Sequence, residues 1–308
     1  MKSFHARSHA KITVFFLKTK DREQGEVSMA MDQSDVKALR PDALGPAEIE
    51  AKAETLAVGK AGMAGAKCFV LAMLAGAFIA FGATYFLVFL GDSAVPFAAQ
   101  RLVGGICFSL GLVLVLCCGA ELFTGNMLMV TGLASKKIKL GGLVRNWVIV
   151  WLGNLVGSLI VVALIYWCGV GAMNGGAVGD AMVSVAVGKV TPDWLVLMAK
   201  GIMCNVMVCL AVWIGFSART VVDKVLGIML PISFFVAAGF EHCVANMFFL
   251  PTGLLMKSAG FGAAVANAGA LDVTAILYNL SAATVGNIIG GVLVGLAYWF
   301  VYARNSAK

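Results

Sequence analysis

Two copies of one pattern decide how this chain folds: GAELFTGNM at residues 119–127 and GFEHCVANM at residues 239–247. Both follow G-x-E-x-x-x-x-N-M, and their glutamates, Glu121 and Glu241, lie 120 residues apart inside otherwise apolar stretches. A glutamate and an asparagine at membrane depth are costly unless they face protein or water. Such positions are therefore candidates for function.

A second pair of matching segments indicates an internal duplication. GNLVG at residues 153–157 follows the first pattern, and GNIIG at residues 286–290 follows the second. Duplicated halves with interrupted apolar segments at matching places indicate a substrate path at the interface between the repeats.

The composition indicates an all-α membrane protein. The chain is 60% hydrophobic and only 13% charged, with a mean hydropathy of +0.92, whereas charged residues make up roughly 25% of soluble domains. Stretches of at least roughly 20 apolar residues can cross the hydrocarbon core. Six are present, near 68–90, 102–134, 143–167, 194–216, 225–256 and 276–302. The second and fifth are too long for one span and each contains one copy of the pattern, so each is predicted to be two half-helices joined by a loop.

The positive charges predict the orientation. The net charge is +7, but the cations fall between spans two and three, between spans four and five, and before the first and after the last span. Only Arg101, Lys189 and Lys257 fall on the other side. The positive-inside rule then puts both termini in the cytoplasm, and this placement argues against a nucleic-acid partner. Because three spans per half is an odd number, the halves are predicted to form an inverted 3+3 repeat.

The polar residues inside the spans are candidates for the pathway or its support. His242 lies in the second break, opposite a first break that carries Thr124, and histidine can change charge near physiological pH. The remaining candidates share a place within or beside the apolar spans: Glu121 and Glu241, expected to hold loop N–H groups rather than contact substrate; Asn126 and Asn246, expected to satisfy half-helix ends; Asn154 and Asn287, expected to bond the loops; Asn205, a lining candidate; and Lys189, in a Gly-rich external connection.

The sequence contains no pattern typical of an enzyme. There is no metal-binding triad, nucleophile-and-base pair or cofactor motif, and the eight cysteines include no C-x-x-C pair. Buried cysteines in spans are ordinary small packing residues. We therefore expect no cofactor, no metal and no catalytic residue.

Longer segments resemble a known family. They are LVGGICFSLGL at 102–112, ELFT at 121–124, NVMVCLAVW at 205–213, FVAAGFEHCVANM at 235–247 and GNIIGG at 286–291. With these motifs the chain, over roughly residues 46–302, resembles the formate/nitrite transporter family and most closely its formate channel branch. The resemblance implies an aquaporin-like six-span protomer with broken second and fifth helices, assembled as a homopentamer with one pore per protomer in a bacterial inner membrane.

The resemblance also implies roles for individual residues. The pathway would comprise Leu122, Phe123, Thr124, His242, Asn205 and Lys189, and the apolar constrictions would be Phe108, Leu112 and Phe235. His242 would face Thr124 at the centre of the pore, and Asn205 and Lys189 would meet near the outer vestibule.

The implied activity is bidirectional transport of formate, as the anion or together with a proton. His242 could supply that proton or hydrogen-bond the passing anion. The loop continuation Gly125-Asn126 and Lys200 resemble nitrite-type members instead. A nitrite or hydrosulfide channel of the same architecture is therefore the alternative.

The chain is predicted to divide into four parts. Residues 1–45 are a disordered basic tail or an extension upstream of the true start, at Met29 or Met31. Residues 46–66 form an amphipathic cytoplasmic helix, whose apolar face includes Ile49, Ala53 and Leu56, and which serves surface packing or gating. Residues 67–303 form the transmembrane channel domain, and residues 304–308 are a cytoplasmic tail.

Overall fold

The computed structural model describes residues 44–304, and this part of the chain contains helices and no strand. The predicted extension at residues 1–45 therefore falls outside it except for its last two residues, and the predicted tail falls outside it except for Arg304.

The helices of the described part follow one another in this order: α1 (Pro46–Ala61), α2 (Gly65–Leu90), α3 (Phe97–Cys118), α4 (Val130–Ala134), α5 (Leu140–Trp167), α6 (Ala177–Val190), α7 (Trp194–Ser217), α8 (Val221–Ala237), α9 (Cys243–Ser258) and α10 (Val273–Tyr302). Short 3-10 turns cover Gly125–Met129, Val170–Ala172, Asn174–Gly176 and Ala268–Ala270. Helix α6 was not predicted; it lies in the connection that the sequence analysis treated as a Gly-rich loop.

Five helices have the length and apolar character of membrane spans: α2, α3, α5, α7 and α10. The predicted fifth span is a broken pair, α8 and α9. A helix satisfies its backbone hydrogen bonds internally, which is why apolar segments of this length fold this way in lipid. The predicted second span is also broken, but its first piece, α3, has 22 residues and is longer than the expected half-helix.

Both breaks begin at a glycine in the left-handed backbone conformation. Gly119 has φ +79° and Gly239 has φ +70°. In each break the amide of the next residue donates to the carbonyl five residues earlier, at 3.0 Å. Residues with a Cβ adopt this conformation reluctantly, whereas glycine ends helices this way routinely. The left-handed backbone at the end of the helix therefore explains why the repeated pattern begins with glycine.

Helix packing repeats between the halves at two further glycines. A Cβ on Gly157 of α5 would lie 1.9 Å from the carbonyl oxygen of Met73 on α2, and one on Gly290 of α10 would lie 2.2 Å from that of Ile202 on α7. Any side chain at either position would push the helices apart. The α2–α5 and α7–α10 pairs thus use the same close contact. The opposite orientation of the two halves stays a prediction.

Helix α1 buries two glutamates. Its buried residues are Ile49, Glu50, Ala53, Glu54 and Ala57, whereas Leu56 is exposed. The predicted apolar face is therefore wrong at Leu56. Glu50 is 3% exposed and therefore points into the protein.

Polar contacts fix α1 to the rest of the chain. The ammonium of Lys52 donates to the carbonyl of Phe216, near the C-terminus of α7, at 2.6 Å. The carboxylate of Glu54 accepts from Ser135 and Lys137, in the α4–α5 connection. Burial and the neighbouring Glu54 raise the pKa of Glu50 to about 7.

Candidate functional site

The first break is held by Asn154 of α5. Its Oδ1 accepts from the amide of Phe123 at 2.9 Å, and its Nδ2 donates to the carbonyls of Glu121 at 2.9 Å and Ala72 at 2.7 Å. Asn154 is fully buried. One side chain therefore satisfies two backbone groups of the loop, which lie outside regular helix hydrogen bonding, and ties them to a carbonyl of α2.

The second break is held by Asn287 of α10 in the same way. Its Oδ1 accepts from the amide of Cys243, and its Nδ2 donates to the carbonyls of Glu241 and Gly201, each at 2.8 Å. The two asparagines occupy matching places in the repeated GN segments. The structure thus places both on the loops, where sequence reasoning expected them.

The carboxylate of the first break lies in an ionic cluster. Glu121 Oε1 accepts from the ammonium of Lys60 in α1 at 2.6 Å, and its Oε2 accepts from Asn126 Nδ2 at 2.7 Å. Asn126 Nδ2 also donates to Asn146 Oδ1 at 2.9 Å.

The carboxylate of the second break lies in the matching cluster. Both oxygens of Glu241 are 3.2 Å from the ammonium of Lys189, at the end of α6. Glu241 Oε2 also accepts from Asn246 Nδ2 at 2.6 Å, and Asn246 Nδ2 donates to Asn279 Oδ1 at 2.7 Å. Asn279 in turn donates to the carbonyl of Lys189 at 2.7 Å.

These contacts correct two expectations. Glu121 and Glu241 accept from ammonium and side-chain amide groups, while the loop amides of Phe123 and Cys243 donate to Asn154 and Asn287. A buried carboxylate needs a cation and hydrogen bonds to offset its loss of water. The side chains of Asn126 and Asn246 bond these carboxylates rather than half-helix ends.

Sequence reasoning missed three members of the clusters: Lys60, Asn146 and Asn279. A signal for the asparagines was present, since Asn146 precedes Asn154 by eight residues and Asn279 precedes Asn287 by eight. Lys60 had no such signal, because α1 lies outside the duplicated segments.

The two breaks meet at His242 and Thr124, which are 118 residues apart in the chain. His242 Nδ1 accepts from the amide of Ala245 at 3.0 Å and so caps the start of α9. A neutral imidazole whose Nδ1 accepts carries its hydrogen on Nε2. That N–H faces Thr124 Oγ1 at 2.9 Å.

Asn205 of α7 bonds the loop of the first break and helix α10, and not Lys189. Its Nδ2 donates to the carbonyls of Thr124 at 3.2 Å and Asn287 at 2.5 Å. The expected meeting of Asn205 with Lys189 is not found among the hydrogen bonds of residues 44–304, where Lys189 is paired with Glu241. The Oδ1 of Asn205 is buried without a hydrogen-bond partner in the same range.

A cavity of about 330 Å³ opens onto His242. Its charged lining residues are Arg101, Lys189, Lys200 and Glu241. We call this cavity the Lys189 vestibule. Its cations and the hydrogen-bonding ring of His242 suit a small anion.

Three side chains separate the Lys189 vestibule from a second void of about 10 Å³: Phe108, Phe235 and His242 line both spaces. The ring centroids of Phe108 and Phe235 are 5.7 Å apart, and those of Phe235 and His242 are 5.9 Å apart. The void is near the minimum size for one water molecule. These rings therefore close the passage to hydrated ions in this conformation.

The other predicted residues fall on either side of this closure or outside it. Leu112 and Leu122 line the small void. Phe123, Thr124 and Asn205 line neither cavity. Phe123 is buried and contributes its amide to the Asn154 contact. Residues 44–304 contain no group of three His, Cys, Asp or Glu side chains that could hold a metal ion.

These features define a class of protein. Membrane-length helices accompany two matched breaks, and the breaks meet at a hydrogen-bond donor that lines both a cationic vestibule and a small void. That is the construction of a multi-pass membrane channel or transporter for a small solute. A family model described as formate/nitrite transporter matches residues 47–300, and the chain belongs to the formate/nitrite transporter family.

Named relatives are similar to this chain in sequence and in structure. Formate channel FocA of Escherichia coli (strain K12) is 42% identical over 282 residues, covering 88% of this chain and 99% of that protein. A solved structure described as a pentameric formate channel with formate bound is 38% identical, with a TM-score of 0.69 over 78% of this chain and 98% of that one. A structure described as an FNT family ion channel is 33% identical, with a TM-score of 0.71 over 82% of this chain and 98% of that one.

Proposed function

We propose that this protein is a formate channel that works in both directions across a bacterial inner membrane. The observation that carries the proposal is the Nε2–H of His242, a residue that lies beside Phe108 and Phe235 at the floor of a vestibule lined by cations. The formate channels among its relatives support formate as the substrate. The pentameric neighbour supports a homopentamer with one pathway per protomer.

The pathway chemistry follows from charge and desolvation. A carboxylate is drawn into the Lys189 vestibule by its cations and then meets the rings of Phe108 and Phe235. Carrying a bare charge across an apolar slit costs on the order of 2.5–3.5 kcal/mol even on the lenient insertion scale. A hydrogen bond from His242, or neutralisation by a proton, reduces that cost.

The geometry favours hydrogen bonding as the role of His242. Its Nδ1 is occupied by the amide of Ala245, so a doubly protonated ring would have to give up the cap of α9. The neutral ring presents its Nε2–H to Thr124 and can transfer that hydrogen bond to a passing carboxylate. In this proposal, a proton that is transported together with formate does not come from Nδ1 of His242.

The architecture proposed around this site has four features. The halves are inverted repeats, which the matching Asn154 and Asn287 contacts support. Residues 46–66 are a cytoplasmic helix, residues 67–303 are the channel domain in the lipid, and both termini are cytoplasmic, which the distribution of Lys and Arg supports.

A nitrite or hydrosulfide channel is the second candidate. Lys200 resembles nitrite-type members, and this residue lines the vestibule. The first test therefore compares fluxes of formate, nitrite, hydrosulfide and lactate on one proteoliposome preparation. Formate is expected to pass fastest. Preference for nitrite or hydrosulfide would replace the substrate, and no flux of any of them would overturn the channel function.

A further inference from the structure

We propose that Lys200 and Arg101 form an anion-binding site in the Lys189 vestibule, which captures a small carboxylate before it reaches His242. The inference rests on the proposed function, because it names the residues that load the pathway. The ligand class is a small planar oxyanion with one negative charge.

The ammonium of Lys189 is already paired with the carboxylate of Glu241. The ammonium nitrogen lies 3.2 Å from both oxygens of Glu241 and 5.5 Å from the centroid of the Phe249 ring. The backbone of Lys189 also accepts a hydrogen bond from Asn279. Since the carboxylate of Glu241 offsets its charge, Lys189 belongs to the cluster that holds the second break.

Lys200 and Arg101 carry the uncompensated charge of the vestibule. Within residues 44–304, neither side chain has an ion-pair partner, and the guanidinium of Arg101 lies over the Phe97 ring, 5.1 Å from its centroid. Three cations and one carboxylate line the cavity, which leaves a net charge of +2 with His242 neutral. A half-buried cavity of this sign concentrates anions.

The duplication supplies an internal comparison for Lys200. Its carbonyl accepts from the amide of Glu241 at 3.4 Å, as the carbonyl of Leu71 accepts from the amide of Glu121 at 3.1 Å. The next residues, Gly201 and Ala72, accept from Asn287 and Asn154. Leu71 therefore occupies the position that matches Lys200.

The match between Leu71 and Lys200 distinguishes a structural role of the Lys200 backbone from a ligand-binding role of its side chain. The backbone contact to the loop is made equally by a leucine, so the fold does not require a lysine at position 200. The ammonium is an addition found in one half only, at a residue that lines the cavity. Arg101 adds a planar fork that suits a carboxylate, and Lys200 adds a compact point charge.

The test variant is Lys200→Leu, which gives the second half the residue that the first half has at the matching position. Formate uptake into proteoliposomes is measured against formate concentration at low and high ionic strength. The half-saturating concentration is expected to rise about three- to tenfold at low salt, because the local anion concentration falls with the charge, and to approach the wild-type value at high salt. Flux at saturating formate is expected to change little.

The matched control is Lys67→Leu, which removes one positive charge from an exposed position one turn before Leu71. It is expected to leave the half-saturating concentration unchanged, and Lys200→Arg is expected to retain most of the wild-type behaviour. An unchanged concentration dependence for Lys200→Leu overturns the site. An equal shift in Lys67→Leu also overturns it, since that shift would reflect surface charge alone.

Binding is measured separately from transport, as the rise in thermal unfolding temperature of purified protein in sodium formate relative to sodium chloride. The rise is expected in wild type and lost in Lys200→Leu. A wild-type protein that is stabilised by formate but does not transport it would reject the channel function and retain the site. Transport with equal stabilisation of both proteins would reject the site and retain the channel.

Discussion

Replacing Asn287 with alanine removes the side chain that holds the break carrying His242. Asn287 is fully buried and makes three hydrogen bonds at 2.8 Å, to the backbone groups of Cys243, Glu241 and Gly201. A net contribution of about 1 kcal/mol each gives roughly 3 kcal/mol, and backbone groups left buried and unpaired cost about 1–3 kcal/mol each. We expect a total loss of roughly 3–6 kcal/mol in the free energy of unfolding.

The assay combines thermal unfolding in detergent with formate flux in proteoliposomes. Asn287→Ala is expected to lower the unfolding temperature and, in protein that still folds, to reduce flux because His242 is no longer held opposite Thr124. Asn154→Ala is the matched variant, since it removes the same three contacts from the first break. Thr274→Ala, on the exposed face of α10, is expected to change stability by less than about 0.5 kcal/mol.

The loop-anchoring argument would be refuted by a specific result. If Asn287→Ala unfolded at the wild-type temperature and transported formate at the wild-type rate, its three hydrogen bonds would not position the break. Loss of stability in Asn287→Ala with none in Asn154→Ala would contradict the equivalence of the two halves instead.

Three further predictions concern the closure and α1. His242→Phe is expected to block formate flux, because it replaces the donor among the three closure side chains with an apolar ring, while His242→Asn keeps flux and changes its pH dependence. Wild-type flux and pH profile in His242→Phe would contradict the pathway. Phe235→Ala should lower stability by about 3 kcal/mol and raise lactate flux more than formate flux, and an unchanged lactate-to-formate ratio in folded protein would count against the constriction. Burial raises the pKa of Glu50 from 4.5 to about 7, so the protonated carboxyl favours the docked α1, and this stabilisation is lost as pH rises across that interval. Glu50→Gln should remove this pH dependence from thermal unfolding. If the pH dependence persisted in Glu50→Gln, it would belong to another group.

Much of the fold could be predicted because its signals are local. Apolar length identifies the spans, and the repeated Gly119 and Gly239 mark the breaks, since a left-handed residue at a helix end favours glycine wherever it occurs. The placement of Asn154 and Asn287 followed from their repetition. Helix α6 was missed because its glycines were taken as loop residues, although its apolar contacts with neighbouring helices outweigh their low helix propensity.

The sequence alone determined the membrane class, the interrupted helices and the polar residues that had to be buried, because hydropathy and spacing are properties of neighbouring residues. Only the tertiary structure decided which groups those residues meet. Glu121 finds Lys60 and Glu241 finds Lys189, 61 and 52 residues away, and Thr124 finds His242 across 118. Burial sets a high cost on an unpaired charge but does not say which cation will offset it. That choice depends on which helices pack together, and it leaves Lys200 facing the vestibule without a carboxylate.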